Sequence, residues 1–282
     1  MILAPLRGVT TRCFRRVFAD VLSEAGFDEA VTPFVSAVGG ADPLADRELS
    51  GGPDEGAPRM SVTPQFIGKD PDVLRRCLER IRAAGWRTAD LNCGCPFPMV
   101  RRKGRGSGLL RTPDALRRML EVGCSVMGEG QFSVKARLGV ERPDELLALV
   151  PLLNEFPLRR IVVHARTARQ MYDGETDPAA LAAVAAAARA PVVPNGDLDW
   201  RRGEGMVGRS FVRDLGARAD AAEQLLKYID ESLAEFRSER PVLGRIKELV
   251  AYWRELPQWR RRWGALKICR SLAELRAVLR RC

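Results

Sequence analysis

The stretch Asp90-Leu91-Asn92-Cys93-Gly94-Cys95-Pro96 gives the clearest structural signal in this chain. Its first residues read as a short buried strand. Gly94 and Pro96 then end that strand, since glycine frees the backbone and proline cannot continue a ladder of hydrogen bonds. Cys95 is therefore predicted on a tight turn at the carboxyl end of a strand, where parallel α/β folds place catalytic groups. With the basic loop 101–110 behind it, this thiol suggests acid–base chemistry on a polyanion; the alternative is that both cysteines are buried structural residues.

Outward from this stretch, short apolar runs alternate with helical segments as far as about residue 209. Extended runs are predicted at 2–5, 30–34, 64–68, 88–92, 132–138, 160–164, 191–195 and 206–208. Apolar residues have the spacing of helices in the segments 12–25, 71–84, 113–126, 143–154 and 178–189. Strands that alternate with helices indicate a parallel sheet, and about eight of them indicate an α/β fold of the TIM-type (β/α)8 barrel class.

One strand–helix unit is too short. Asp197 and Gly208 lie only 11 positions apart, which leaves no room for a helix of normal length between strands seven and eight. Two explanations stay open: the barrel has lost that helix, or 205–208 is not a regular strand.

After about residue 217 the strand pattern stops. The segments 219–237, 241–256 and 272–281 have helical spacing, which predicts a small all-helical C-terminal domain. We expect the boundary near 213–218, dividing the chain into a barrel at 1–215 and a helical domain at 216–282.

Composition narrows the class of protein. Hydrophobic residues make up 46% of the chain, enough for a large core, and no run of about 18 apolar residues predicts a membrane span. The first residues lack the basic and apolar segments of a signal peptide. Seven scattered cysteines and a single histidine do not fit a zinc site, so we expect no metal, reduced thiols and a cytoplasmic location.

The net charge of +10 is concentrated in two places. Residues 101–118 carry seven Lys or Arg against one acidic residue, and residues 257–282 carry eight against one. Two basic clusters separated by balanced sequence favour a nucleic-acid partner. The alternative is that they are solvated helix faces.

Polar residues recur where the predicted strands end, and in a parallel barrel these ends face one mouth. They are Gln65, Asn92, Cys95, Lys135, Arg137, His164, Arg166, Asn195, Gly196, Asp197, Gly208 and Arg209. The loops after strands seven and eight commonly hold phosphate in such barrels. Lys135 needs an anionic or electron-rich partner, because an unpaired buried ammonium is costly. The set suits flavin mononucleotide (FMN), although a single histidine or Asn-Gly pair is more often only a hydrogen-bonding residue or a turn.

Several segments resemble, in order, the signatures of tRNA-dihydrouridine synthases. These are 3–10, 32–36, 64–65, 90–96, 134–139, 164–167 with Gln170 and Tyr172, 195–198 and 207–209. The likeness runs over about residues 2–210. In the tail, 225–228 and 245–247 are similar to the helical domain of the bacterial branch that modifies uridine 16.

The resemblance implies an oxidoreductase that reduces the C5–C6 bond of a D-loop uridine in tRNA, here U16, with FMN as cofactor and NADPH as reductant. Reduced FMN gives hydride to C6 of the uracil, while Cys95 protonates C5 from the opposite face. A thiol with a pKa of about 8.5 is mostly protonated at neutral pH and suits that role. The uridine must leave its stack to reach the mouth of a barrel.

The resemblance also assigns residues to each ligand. The barrel becomes the FMN-binding catalytic domain and the helical domain a tRNA-binding one. FMN is expected at Pro5, Leu6, Arg7, Gln65, Lys135, His164, Asn195, Gly196, Asp197, Gly208 and Arg209. The tRNA is expected at Asn92, Arg101, Arg102, Lys103, Arg137, Arg166, Arg260, Arg261, Lys267 and Arg270.

Two departures from the family pattern leave alternatives. Leu6 stands where the family usually has Met, a change that nearly conserves volume. The missing helix lies between the two halves of the expected phosphate site, so a tRNA-binding relative without flavin or catalysis is a second hypothesis. A flavin barrel that acts on a small molecule is a third, against which the basic clusters and the helical tail count. We expect a monomer with no obligate protein partner.

Overall fold

The computed structural model describes residues 1–53 and 60–280. Part of the stretch 39–58, which is rich in Gly, Pro and Asp and is predicted to be a loop, therefore lies outside the described residues, as do Arg281 and Cys282. The strands in the described part are β1 (Ile2–Leu3), β2 (Glu29–Val31), β3 (Val35–Ser36), β4 (Ser61–Thr63), β5 (Gln65–Ile67), β6 (Ala89–Cys93), β7 (Phe132–Gly139), β8 (Ile161–Thr167), β9 (Val192–Asn195) and β10 (Met206–Val207). The α-helices there are α1 (Arg12–Val17), α2 (Ala19–Glu24), α3 (Pro71–Ala83), α4 (Pro98–Arg101), α5 (Pro113–Met127), α6 (Glu145–Leu153), α7 (Pro178–Ala187), α8 (Arg209–Leu215), α9 (Ala221–Phe236), α10 (Glu239–Ala251), α11 (Pro257–Ile268) and α12 (Leu272–Arg280).

The strands form one parallel sheet that closes on itself. Its order is β3-β5-β6-β7-β8-β9-β10-β1-β2-β4. Only Pro64, which has no amide hydrogen, separates β4 from β5, so the two are halves of one strand. The first half pairs with β2 and the second with β6. Because β2 and β3 are likewise halves of one strand interrupted at Pro33, the sheet is an eight-stranded barrel, and the predicted (β/α)8 class is confirmed.

The barrel closes without a helix between β9 and β10. Within the described residues this connection contains only a 3₁₀ turn, Trp200–Arg202. Met206 nevertheless pairs with Asn195 on one side and with Ile2 on the other. Gly205 permits the close approach, since it has a φ of +77° and a Cβ there would lie 2.7 Å from the Pro194 carbonyl oxygen. Of the two explanations, loss of the helix is the correct one.

Two helical predictions need correction. The segment predicted as one helix at 12–25 is two short helices, because the backbone leaves helical geometry at Phe18. Helices α4, α8 and α11 were not predicted. The arginine-rich sequence of α11 buries only Trp259 and Leu266 and shows little periodicity.

The C-terminal helices α9–α12 pack directly on the barrel. The Trp253 indole N–H donates to the Val212 carbonyl oxygen at 2.7 Å, and that of Trp259 donates to the Gly216 carbonyl oxygen at 2.7 Å. A Cβ at Gly216 would overlap the ring of Trp253, so glycine is required there. Tyr228 meets the ring of Phe14 edge-on, with centroids 6.1 Å apart. The division at 215/216 stays a prediction, although it falls where α8 ends. None of the helices in the described ranges combines the length and apolar character needed to cross a membrane.

An ion-pair cluster fills the amino-terminal end of the barrel. Both oxygens of the Glu29 carboxylate accept hydrogen bonds from the guanidinium of Arg160 and from that of Arg159. Burial alone would raise the pKa of Glu29, but hydrogen bonds and charge from Arg160 and Arg159 lower it below its usual value. The carboxylate is therefore ionised, and its single negative charge is shared by the buried guanidinium of Arg160 and the partly exposed one of Arg159.

We predict that Glu29→Gln lowers the free energy of unfolding by about 3 kcal/mol at pH 7, because it leaves buried guanidinium charge without a partner. Since the folded pKa of Glu29 is depressed, its contribution is present at neutral pH and is lost as the pH falls below about 4. Urea denaturation from pH 7 to pH 3 measures both effects. Glu155→Gln, which removes an exposed pair with Arg117, is the control and should leave stability close to that of the wild type. Equal losses in the two variants would contradict the prediction.

Candidate active site

A cavity of about 670 Å³ opens at the carboxyl ends of the strands, between the barrel and α10. This volume lies within the range of small-molecule sites, roughly 300–1,000 Å³. Most of the predicted site residues line it, namely Pro5, Leu6, Arg7, Asn92, Cys95, Lys135, Arg137, His164, Asn195, Gly196, Asp197, Gly208 and Arg209. Among the described residues, no group of His, Cys, Asp and Glu side chains is arranged to hold a metal ion.

Cys95 is held in the cavity wall by its own backbone. The Asn92 side-chain oxygen accepts the N–H groups of Gly94 and Cys95 at 3.1 and 2.9 Å. On the other side, the Ser107 hydroxyl donates to the Cys95 carbonyl oxygen at 2.9 Å. Gly106 has a φ of +56°, and a Cβ there would lie 2.8 Å from that of Cys95. The loop that follows α4 can therefore close tightly on the thiol.

A chain of buried side chains supports this turn from below. The Asn92 side-chain nitrogen donates to Gln65 at 2.7 Å, and the Gln65 nitrogen donates to the Asp90 carboxylate at 2.8 Å. The Ser133 hydroxyl donates to the other Asp90 oxygen at 2.7 Å. Burial raises the pKa of Asp90, an effect that these hydrogen bonds oppose. Gln65 thus lies beneath Asn92 and is not among the residues that line the cavity.

The environment of Cys95 favours the neutral thiol. Burial raises its pKa, while the backbone N–H of Phe97 and the positive charges of Arg7 and Arg137 partly offset this effect. A thiol with a raised pKa is protonated at neutral pH and can act as a proton donor.

Lys135 presents a second polar group to the same cavity. Its ammonium donates to the Asn195 side-chain oxygen at 2.9 Å, and the Asn195 nitrogen donates to the Met206 carbonyl oxygen at 2.7 Å. Burial, followed by the charge of Arg137, lowers the pKa of Lys135 to about 8. The ammonium has no carboxylate partner within the described residues, so it is suited to an anionic or electron-rich ligand.

Two glycines bring backbone close to the cavity on the expected phosphate side. Gly196 has a φ of +104°, and a Cβ there would lie 2.6 Å from the His164 ring. A Cβ at Gly208 would lie 3.0 Å from that of Ala4. Arg209 follows with an exposed side chain whose guanidinium lies 3.8 Å from the centre of the Tyr172 ring. Glycine backbone, a guanidinium and the Lys135 ammonium around a cavity of this size fit FMN.

Arg137 and Arg166 use their donors inside the protein. Arg137 donates to the carbonyl oxygens of Gly94, Thr167 and Met171 at 3.0, 3.0 and 2.6 Å. Arg166 forms an ion pair with Asp197, donates to the Gly174 carbonyl oxygen at 2.7 Å, and does not line the cavity. Both arginines therefore shape the site from within its walls.

The remaining predicted tRNA residues lie outside the cavity. Arg101, at the end of α4, is partly exposed, and Arg102 and Lys103 are exposed in the turn that follows. On α11 and the residues after it, Arg260, Arg261, Lys267 and Arg270 are all exposed. The first group lies just beyond the mouth, because α4 begins two residues after Pro96.

The cavity also contains residues that were not among the predicted site residues. Helix α10 contributes Arg245, Glu248 and, just after its end, Tyr252, while the barrel adds Phe34 and Phe97. The contact between α10 and the barrel mouth depends on tertiary packing between distant segments. Only the family likeness at 245–247 gave any signal of it.

Comparison with known proteins agrees with this arrangement. The family model described as "Dihydrouridine synthase (Dus)" matches residues 2–206. A tRNA-dihydrouridine(16) synthase from Ralstonia nicotianae is 30% identical, covering 99% of this chain and 94% of that protein. A tRNA-dihydrouridine(16) synthase from Cupriavidus necator is 32% identical, covering 76% and 70%. The solved structure of morphinone reductase in complex with tetrahydroNAD shares the fold, with a TM-score of 0.53 and 9% identity over 76% of this chain and 83% of that one.

His164, the only histidine, provides a direct test of the electrostatics of the site. Burial, followed by the charges of Arg137, Lys135, Arg166 and Arg209, lowers its pKa to about 2. We predict that its imidazole signals in a nuclear magnetic resonance titration do not move between pH 8 and pH 5. The unfolded chain takes up a proton here below about pH 6.5, so His164 reduces stability as the pH falls. A titration midpoint between pH 6 and pH 7 would contradict this description of the site.

Proposed function

Because the chain belongs to the dihydrouridine synthase family, we propose that it is a tRNA-dihydrouridine synthase that uses FMN and NADPH to reduce a D-loop uridine. The observation that carries the proposal is a neutral thiol, Cys95, in one cavity with Lys135 and Asn195. The names of the relatives from Ralstonia nicotianae and Cupriavidus necator favour uridine 16 as the target.

FMN would lie against the residues already described on the phosphate and lysine sides of the cavity. Its phosphate suits the backbone of Gly196 and Gly208 with Arg209, and its ring suits Lys135 and the β1 loop that contains Leu6. When bound and reduced by NADPH, FMN supplies the hydride that C6 of the uracil receives.

Cys95 would supply the proton that completes the reduction. As C6 accepts hydride, electron density moves to C5, and the S–H bond of Cys95 breaks to form the new C–H bond there. The positive charges of Arg7 and Arg137 stabilise the thiolate that is left, and solvent returns its proton. The Asn92 side-chain oxygen accepts the Cys95 backbone N–H and so positions the thiol. The Asn92 side-chain nitrogen donates one hydrogen to Gln65 and has a second that can donate to the uracil.

The exposed basic residues would hold the RNA backbone. The cluster after α4 lies beside the mouth, and the cluster on α11 lies on the helical domain. Lys and Arg side chains that neutralise phosphates release counterions, so tRNA binding should weaken steeply as salt rises.

The hypothesis of a binding protein without flavin loses its main support. It rested on the missing helix, yet β10 pairs on both sides and both glycine loops remain in the cavity wall. Purified protein separates the two cases. Yellow protein with flavin absorbance supports the enzyme, whereas colourless protein that still binds tRNA supports the binder. We also propose a monomer located in the cytoplasm, where tRNA is modified.

We predict that Cys95→Ala lowers dihydrouridine formation at least about 100-fold, because the proton donor is lost. Bound flavin and tRNA affinity should stay close to the wild-type values, since the backbone contacts of residue 95 remain. Mass spectrometry of digested tRNA measures the product. Cys93→Ala is the matched control, because Cys93 is fully buried two residues away and does not line the cavity. An active Cys95→Ala variant would contradict the proton-donor role.

We predict that Lys135→Met lowers the flavin-to-protein ratio of the purified protein at least about tenfold, because it removes the ammonium and keeps the side-chain volume. Absorbance near the flavin maximum, with protein measured separately, gives the ratio. Lys227→Met, which removes an exposed ammonium paired with Glu223, should leave the ratio unchanged. Unchanged occupancy in Lys135→Met would place the flavin away from β7.

A further inference from the structure

Two exposed apolar side chains, Phe97 and Met99, lie two positions apart at the start of α4, beside the cavity mouth, and we call the pair the prong. Phe97 is 47% exposed and Met99 is 79% exposed, and few other large hydrophobic side chains in the described part of the chain are exposed. Phe97 also lines the cavity, two residues after Cys95. Exposed apolar groups at this position indicate contact with a ligand or partner.

The backbone that carries the prong is held by hydrogen bonds. Phe97 precedes Pro98, the first residue of α4, and its carbonyl oxygen accepts the N–H groups of Val100 and Arg101 at 2.9 and 3.0 Å. The turn before it is fixed through the hydrogen bonds of Cys95 to Asn92 and Ser107. A preorganised surface loses little conformational entropy when it binds.

The charges around the prong favour RNA as its partner. Arg101, Arg102 and Lys103 follow immediately along the chain, and within residues 1–53 and 60–280 none of them is paired with a carboxylate. An aromatic side chain beside free cations is the combination that single-stranded nucleic acid requires, since bases stack on the ring and phosphates meet the cations.

We propose that the prong stacks against the nucleobases that flank the uridine entering the cavity. This inference rests on the proposed function, which requires the uridine to leave its stack. Departure of that base exposes the faces of its neighbours at the cavity mouth. The Phe97 ring covers one of those faces, Met99 extends the apolar contact, and the three cations bind the adjoining backbone. Apolar side chains that replace lost base stacking are a general device of proteins that distort nucleic acids.

A cycle that combines protein and RNA changes tests the proposal without catalysis. The dissociation constants of the wild-type holoenzyme, Phe97→Ala and Phe97→Tyr are measured for unmodified tRNA and for a series in which each D-loop nucleotide in turn is abasic. We expect Phe97→Ala to weaken binding of unmodified tRNA about tenfold, and Phe97→Tyr to bind it like the wild type. With the abasic residue at one or two positions, Phe97→Ala should cost less than about twofold, because the partner base is already absent. Because Phe97 is exposed, we expect these variants to fold, and circular dichroism checks that they do.

Coupling confined to one or two D-loop positions supports the prong. Coupling at positions that do not flank the uridine reduced by the wild-type enzyme overturns it. Equal effects of Phe97→Ala on every RNA, or no effect on any, overturn it. A change in self-association with unaltered RNA binding also overturns it, because the surface would then contact a second copy of the chain. Absence of dihydrouridine from tRNA treated with the wild-type enzyme would contradict the proposed function, and the binding cycle would still report on the prong.

Discussion

The candidate site depends on one side chain, the buried amide of Asn92. Its oxygen accepts the N–H groups of Gly94 and Cys95, and its nitrogen donates to Gln65, which is held in turn by Asp90. Each member of this chain has a partner, and a buried polar network is stabilising only when its members are satisfied. The strand therefore ends in one defined turn, which presents a protonated thiol to the cavity that Lys135 also lines.

The fold could be predicted from the sequence because a parallel barrel repeats one pattern, and the residues at its strand ends could be predicted to converge for the same reason. Lys135, Asn195 and Cys95 lie in one cavity as expected. Local sequence could not predict which polar side chains form hydrogen bonds within the protein. Gln65 is hydrogen-bonded to Asn92, and Arg166 forms an ion pair with Asp197. These partners are distant in sequence, so no local pattern indicates them. The contribution of α10 to the cavity wall was also not predicted, since packing between distant segments leaves no periodic pattern in the sequence.

The missing helix between β9 and β10 shows how a barrel tolerates a deletion. Register is maintained by pairing of Met206 with both neighbours, and the glycine at 205 lets the short connection turn back tightly. The adjoining α8 is fixed from outside, where Trp253 and Trp259 bind the carbonyl oxygens of Val212 and Gly216. The C-terminal helices thus pack on the part of the barrel where the helix is missing. Helix α10 also completes the wall of the cavity. The arginines of α11 stay exposed, as the proposed contact with the RNA backbone requires.

We propose that one cavity combines a flavin with the Cys95 thiol to reduce a uridine. A single turnover without oxygen tests this proposal: purified enzyme with a known amount of reduced FMN is mixed with excess unmodified tRNA and no NADPH. We expect one dihydrouridine for each flavin that becomes oxidised, formed at a single D-loop position. Flavin that stays reduced in the presence of tRNA, or that becomes oxidised without forming dihydrouridine, would contradict it.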